Sequence, residues 1–222
     1  MKNIITRRAA AAAGVTGVAV MGLSSLGAGG AVAAPVPNTT ITKTLVDGTP
    51  VTIQLFDQSA SVTQPLIPFP TTREVWVSGK VRVTVGGQAE GGTVAAGYIV
   101  GCQVSVDLGA EGGISGGAEA TPNTGGGATV SPDGSGVGGA TIGLGPGAAG
   151  YVPIIDETDG DDDSVTSYAF SGNRGGVAYS QEKFGVTGCG GYAEAKAKVT
   201  VTVDTDAVKG VVTLYGQPFS LG

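Results

Sequence analysis

One stretch of this chain carries carboxylates at alternating positions, where they could attract or bind cations. Asp107, Glu111 and Glu119 occupy odd positions between 104 and 121, while the even positions carry Val, Leu, Ile, Ala or Gly. A two-residue period is typical of a β-strand, so it places the carboxylates on one face and the aliphatic side chains on the other. A strand with such a face attracts cations, and that is the chemistry that the pattern indicates.

A second arm with the same alternation follows the breaker-rich stretch Pro122-Asn-Thr-Gly-Gly-Gly. Val130, Ile142 and Leu144 occupy even positions, and Asp133 occupies an odd one. Two alternating arms around a Gly-rich tip predict a hairpin. An arm of about 17 residues would be about 55 Å long, which exceeds an ordinary strand and suffices to cross a bilayer. Tyr151, near the end of the second arm, is the aromatic residue available to mark the lipid–water interface.

A second acidic feature follows the hairpin as a run of six carboxylates. These are Asp156, Glu157, Asp159, Asp161, Asp162 and Asp163. The run lacks the ligand spacing and the closing Glu of an EF-hand, so we predict no metal site there. Two interpretations remain: a solvated acidic loop, or a vestibule that concentrates cations in front of a pore.

The distribution of charge limits the class of protein. The 91 residues from Val83 to Asn173 contain no Lys or Arg but eleven Asp and Glu and 24 Gly. The chain has no His, which removes the commonest general base and the usual zinc ligand. Without the first 34 residues, which carry three positive charges, the formal net charge of −6 becomes −9. We therefore predict no enzyme, no cofactor and no nucleic-acid partner.

The first 34 residues have the pattern of a secretory signal peptide. Lys2, Arg7 and Arg8 precede an apolar Ala/Gly-rich middle, and the stretch ends in Val32-Ala-Ala. We expect cleavage after Ala34. In an exported chain Cys102 and Cys189 favour a disulfide within one chain, although two buried thiols or a bridge between subunits stay open.

Conventional sheet flanks the acidic block on both sides. Alternating segments include a hairpin around Asp47-Gly48, the run 73–85, and the runs 195–203 and 211–215. Short strands separated by Gly and Asp turns predict a β-sandwich. The predicted fold is all-β, with residues 35–103 and 156–222 in a rim sandwich and residues 104–155 in the stem hairpin.

A hairpin alone cannot cross a membrane, because its two edges would leave backbone groups without hydrogen-bond partners. A ring of identical chains resolves this, since each chain can donate two strands to one closed barrel. The predicted partners are thus identical subunits, membrane lipids, small hydrophilic solutes and cations.

Short motifs in the flanking segments resemble the MspA-type porins of the mycobacterial outer membrane. They are Leu45-Val-Asp-Gly, Thr72-Arg-Glu-Val-Trp-Val-Ser-Gly-Lys, Gly97-Tyr-Ile-Val-Gly, Thr121-Pro-Asn, Phe170-Ser-Gly, Gly175-Gly-Val-Ala, Val186-Thr-Gly and Tyr215-Gly-Gln-Pro. The resemblance implies a homo-octamer with a sixteen-strand barrel that conducts small hydrophilic solutes through the outer membrane. It also implies cation preference, because the family narrows its pore with a ring of aspartates near the hairpin tip.

The tip of this chain departs from that pattern, since it reads Asn123-Thr-Gly-Gly-Gly-Ala-Thr. We predict that Glu119 and Asp133, which bracket the tip, form the constriction and that Asp107 and Glu111 form further rings along the lumen. The alternative is that Glu119 and Asp133 are solvated residues of a flexible turn.

Three other functions compete with a homo-oligomeric porin. The sandwich could belong to a surface protein that presents a Gly-rich acidic contact loop and forms no channel. The chain could also be one subunit of a mixed ring in which a paralogue supplies the tip aspartates. A carboxylate-dependent hydrolase is the third, but such sites have aromatic walls and this chain has one Trp.

Overall fold

The computed structural model describes residues 33–64, 71–87, 89–104, 128–132, 139–144, 147–155, 157–158 and 164–222, and these contain strands and no helix. The first half contains β1 (Ala34–Val36), β2 (Thr39–Thr44), β3 (Pro50–Thr63), β4 (Arg73–Val85), β5 (Ala89–Cys102), β6 (Ala128–Pro132) and β7 (Gly139–Leu144). The second half contains β8 (Ala149–Pro153), β9 (Glu157–Thr158), β10 (Ser164–Val165), β11 (Tyr168–Ser171), β12 (Arg174–Thr187), β13 (Ala193–Thr205) and β14 (Lys209–Ser220). The prediction of an all-β fold is confirmed.

A seven-stranded sheet forms one layer, in the order β1-β3-β4-β12-β7-β6, with β2 beside β1 on the same edge of β3. In β4 the alternation of apolar and polar residues buries Val75, Val77, Val81, Val83 and Val85 on one face and leaves the intervening side chains on the other. The predicted turn at Asp47-Gly48 connects β2 and β3. Gly48 has φ +86°, and a carboxylate oxygen of Asp47 accepts a hydrogen bond from the Thr49 N–H at 3.0 Å.

A five-stranded sheet forms the other layer, in the order β11-β5-β13-β14, with β8 next to β11 along the same edge of β5. β5 and β13 are paired from Ala193–Cys102 at one end to Thr205–Ala89 at the other. We call the end that contains Cys102 the base of the sandwich and the opposite end its top.

The core lies between the two sheets and is built from their inward aliphatic side chains, with an aromatic cluster near its middle. The Tyr98 ring stacks on Phe184 with centroids 5.7 Å apart, and its edge contacts involve Tyr179 and Phe219. Because Tyr98 belongs to β5 and Phe184 to β12, the cluster joins the two layers.

The returning arm of the predicted hairpin is not one continuous strand, and parts of it pair with strands of the sandwich. β6 pairs with β7, β7 pairs with β12 in the seven-stranded sheet, and β8 pairs with β5 in the other sheet. Residues 139–144 and 149–153 thus belong to the sandwich, which extends into the range 104–155 expected for the stem. The Gly-rich tip at 122–127 and the first arm beyond Val104 lie outside the described residues.

The even-position side chains of the returning arm also have a different role from the one expected. Ile142, Leu144 and Val152 are buried in the sandwich core, where the sequence placed them on a lipid-facing surface. Tyr151 lies on the outer face of the five-stranded sheet, with the Lys198 ammonium 5.2 Å from its ring centroid. Alternation predicts an apolar face but does not say what covers it, and here the opposite sheet does.

Candidate functional site at the base of the sandwich

The inserted segment leaves and rejoins the sandwich at its base. The chain leaves after Val104, whose carbonyl accepts a hydrogen bond from the Gly190 N–H at 2.9 Å. It rejoins at Ala128, which pairs with Leu144. We call residues 188–192 the base loop, because they contact the chain on both sides of the insertion.

Backbone conformation brings the base loop close to β7. Gly188 has φ +78°, and a Cβ atom on it would lie 3.1 Å from the carbonyl oxygen of Leu144. A side chain there would be strained by its backbone and crowded by a carbonyl that cannot move without disturbing the β6–β7 pairing. Glycine at position 188 is therefore what allows the loop to pass so close to the strand.

A disulfide fixes the base loop to the end of β5. Cys102 and Cys189 are joined within the chain, their Cα atoms 5.8 Å apart, and both are buried. The bridge closes a loop of 87 residues that contains the whole insertion. Of the three states that the sequence left open for the two cysteines, the structure has the intramolecular bridge.

Arg73 holds the same loop from the other sheet. Its Nη1 donates to the carbonyl oxygen of Cys189 at 2.9 Å and its Nη2 donates to that of Gly191 at 2.8 Å. Arg73 is the first residue of β4, so the two bonds tie the base loop to the start of a central strand. Two nitrogens of one planar guanidinium each bind a separate carbonyl, a fixed geometry that the single nitrogen of a lysine does not reproduce.

Most of the acidic residues expected to act in a pore lie outside the described residues. Asp107, Glu111, Glu119 and Asp133 lie outside the described residues, as do Asp156, Asp159 and Asp161–Asp163. Glu157 lies in β9 and pairs with Val165 of β10 in a short two-stranded ribbon. Within the described residues, no group of three or more His, Cys, Asp or Glu is arranged to hold a metal ion.

The sandwich itself is close to charge balance. Apart from Lys2, Arg7 and Arg8, all Lys and Arg residues lie in the described segments, and they number nine. The same segments carry nine of the 18 Asp and Glu. The excess of nine negative charges therefore belongs to the internal positions 105–127, 133–138, 156 and 159–163.

Sequence reasoning did not identify Arg73 or Gly188 as parts of this site. In the sequence, Arg73 belongs to an alternating run and a short family motif, neither of which assigns it a role, because a pair of hydrogen bonds to carbonyls over 100 residues away has no sequence pattern. The run Gly188-Cys-Gly-Gly does mark a tight turn at a cysteine, and that signal could have located the base loop.

The MspA family model matches residues 47–220, from the turn before β3 to the last residue of β14. The chain belongs to the MspA family. The match covers β3 to β14, the base loop and the inserted segment, but not β1 and β2, and it confirms the resemblance noted from the short motifs. A search of curated proteins gave no match.

Membership of the MspA family supports a porin-type function, an outer-membrane location and assembly from several subunits. Among the described residues no helix could span a membrane.

Proposed function

We propose that this chain is one subunit of an outer-membrane porin, a water-filled channel that admits small hydrophilic solutes and prefers cations. Family membership carries the proposal. The position of the insertion supports it, because a segment that leaves and rejoins the sandwich at one end can project from it as a hairpin. Residues 1–34 serve as the export signal in this proposal.

The length of the insertion is adequate for a membrane crossing. The 23 residues from 105 to 127 separate Val104 from Ala128. Folded as a hairpin with its tip near residue 116, and not at the predicted 122–127, they give two arms of about 10 residues, or about 33 Å each, against an apolar band of about 25 Å in outer-membrane barrels. Two strands alone leave unpaired edges, so we propose that a ring of identical subunits closes the barrel, with eight subunits as the family resemblance implies.

Repetition around such a ring turns one carboxylate into a ring of carboxylates. Glu119 and Asp133 are the proposed constriction, and Asp107 and Glu111 line the lumen. Rings of Asp or Glu are a general means of cation preference in pores. Glu119 and Asp133 need separate tests, because Pro132, directly before Asp133, pairs with Ala140 of the sandwich sheet.

The acidic run at the β9–β10 ribbon is the proposed vestibule. Asp156, Glu157, Asp159 and Asp161–Asp163 give six carboxylates per subunit in eight residues. In a ring, these charges raise the local concentration of cations at the mouth of the channel. The effect should weaken as salt screens it over about 10 Å at 0.1 M ionic strength.

Planar-bilayer recording of the purified mature protein tests the proposal. We expect discrete current steps whose reversal potential in a salt gradient indicates cation preference. Glu119→Gln and Asp133→Asn, alone and together, should reduce that preference without abolishing the steps. Asp206→Asn is the matched control, since Asp206 is an exposed residue of the β13–β14 turn at the top of the sandwich.

The outcomes separate the competing functions. Unchanged selectivity in the double variant would move the role to Asp107, Glu111 or the acidic run. Absence of current from folded protein that is a soluble monomer would favour a surface protein with an acidic contact loop. Absence of current from an oligomer would favour a mixed ring that needs a paralogous subunit.

A further inference from the structure

The outer face of the seven-stranded sheet carries a depression of about 630 Å³ near the top of the sandwich. Its lining consists of Gln54, Arg82, Thr84, Arg174 and Gly175. Two guanidinium groups, a carboxamide and a hydroxyl converge here, so each polar side chain can donate a hydrogen bond. The depression belongs to the scaffold and has no part in the proposed channel lining.

Strand pairing explains why the depression is open. Gln54 of β3 pairs with Arg82 of β4, and Thr84 pairs with Arg174 of β12. On the other side of Arg82 the paired residue is Gly176, which has no side chain to fill the space next to Arg174. The sheet register therefore sets two arginines diagonally across adjacent strands with a gap between them.

One of the two guanidinium groups is held in place by an aromatic ring. The Arg82 guanidinium carbon lies 5.0 Å from the centroid of the Phe56 ring. A cation–π contact of this kind does not use the N–H donors of the guanidinium in hydrogen bonds, so they stay available. Arg82 is thus oriented without using the hydrogen bonds that would bind an anion.

No carboxylate of the described residues lines the depression. The ion pairs in the described part of the chain join Lys80 to Asp57 and Lys209 to Asp204, and neither includes Arg82 or Arg174. Like charges on adjacent strands are unfavourable, and a bound anion would turn this repulsion into two attractions.

We infer that this depression is a binding site for a tetrahedral oxyanion, held by the guanidinium groups of Arg82 and Arg174 with Gln54 and Thr84 as further donors. A sulfate or phosphate group has the oxygen spacing that the two-pronged arginine side chain binds bidentately. The same chemistry is offered by a free ion and by the headgroup of an anionic lipid. Oxyanion binding at this site does not require that the chain conducts ions, so the inference does not depend on the proposed channel function.

Equilibrium dialysis of the folded mature protein against radiolabelled sulfate, at constant ionic strength in chloride, tests the inference. We expect one saturable site per chain. Binding should weaken at least tenfold in Arg174→Gln and in the double variant Arg82→Lys, Arg174→Lys, which keeps both charges but loses the planar forks. Lys43→Gln, an exposed cation on β2 of the same sheet, should bind as the wild type does.

Two results would overturn the inference. One is the absence of saturable binding to wild-type protein whose circular dichroism shows that it is folded. The other is an equal loss in Lys43→Gln and in the double lysine variant, because that would mean diffuse attraction to net charge. Thermal unfolding of each variant verifies that it retains the sandwich, and the double lysine variant decides the result if Arg174→Gln does not fold.

A competition experiment identifies the source of the oxyanion. Short-chain phosphatidylglycerol that displaces labelled sulfate at concentrations below those of unlabelled sulfate would assign the site to a lipid headgroup. Displacement by unlabelled sulfate alone would assign it to a free ion.

Discussion

The hydroxyl oxygens of Tyr98 and Tyr179 lie 2.9 Å apart in the core. Tyr98 comes from β5 and Tyr179 from β12, so this hydrogen bond joins the two sheets of the sandwich. Both side chains are buried, and their rings meet edge to face with centroids 6.4 Å apart. Each hydroxyl therefore depends on the other for a partner.

Removing one hydroxyl should cost more stability than removing both. Tyr179→Phe leaves the Tyr98 hydroxyl buried without its partner, and we expect the free energy of unfolding to fall by about 1–3 kcal/mol. The double variant Tyr98→Phe, Tyr179→Phe should lie closer to the wild type. Denaturant unfolding measures all three proteins, and a double variant that is less stable than the single one would contradict the prediction.

The same pair predicts loss of stability at alkaline pH. Burial raises the pKa of Tyr98 well above its usual range, with a further contribution from Tyr179, and burial also raises the pKa of Tyr179. Above about pH 10 the unfolded chain releases these protons while the folded chain keeps them. Stability should thus be fully present below pH 10 and decrease above it, by about 1.4 kcal/mol per pH unit for each tyrosine.

Absorbance at 295 nm checks the alkaline prediction directly. Tyr98 and Tyr179 should titrate only together with unfolding. The double Phe variant provides the control, because its stability should depend less steeply on pH.

Arg73 should stabilise the conformation of the base loop. Arg73→Gln removes both hydrogen bonds to the carbonyls of Cys189 and Gly191 and should lower the free energy of unfolding by about 2 kcal/mol. Hydrogen exchange should show faster exchange of the Gly190 N–H, which bonds to Val104. Arg73→Lys keeps the charge but not the paired geometry, so full protection of Gly190 in that variant would mean that charge alone holds the loop.

The disulfide should contribute more stability than any hydrogen bond at the base. Replacing Cys102 and Cys189 with serine opens a loop whose ends are 87 residues apart in sequence and should lower the free energy of unfolding by about 4.6 kcal/mol in the chain-entropy model. Wild-type protein should lose the same amount on reduction, and the serine variant should be insensitive to reductant. Equal midpoints for oxidised and reduced wild type would show that packing already fixes the loop.

Alternation alone was enough to locate most of the sandwich. β4, β13 and the Asp47-Gly48 hairpin follow the sequence pattern closely, because each strand has one buried and one exposed face. The returning arm shows the limit of the method. Ile142 and Leu144 alternate as a lipid-facing strand would, and a sandwich core produces the same pattern.

The contacts of the base were less accessible to sequence reasoning for a different reason. Cys102 and Cys189 could be singled out because cysteines of exported proteins usually form disulfides. The role of Arg73 depends on where two backbone carbonyls lie after folding, and no residue type marks a carbonyl. Glu119 and Asp133 remain predictions that the selectivity experiment addresses.

The shared exit and return point at the base has a consequence for how such proteins can diversify. Both ends of the inserted segment lie at the base, beside the disulfide between Cys102 and Cys189. The segment can therefore be lengthened, shortened or exchanged without changing the strand pairing of the sandwich. If residues 105–127 are exchanged between relatives, the hybrid protein should show the conductance of the protein that supplied the segment. The sandwich would then be a shared scaffold that accepts different pore-forming segments.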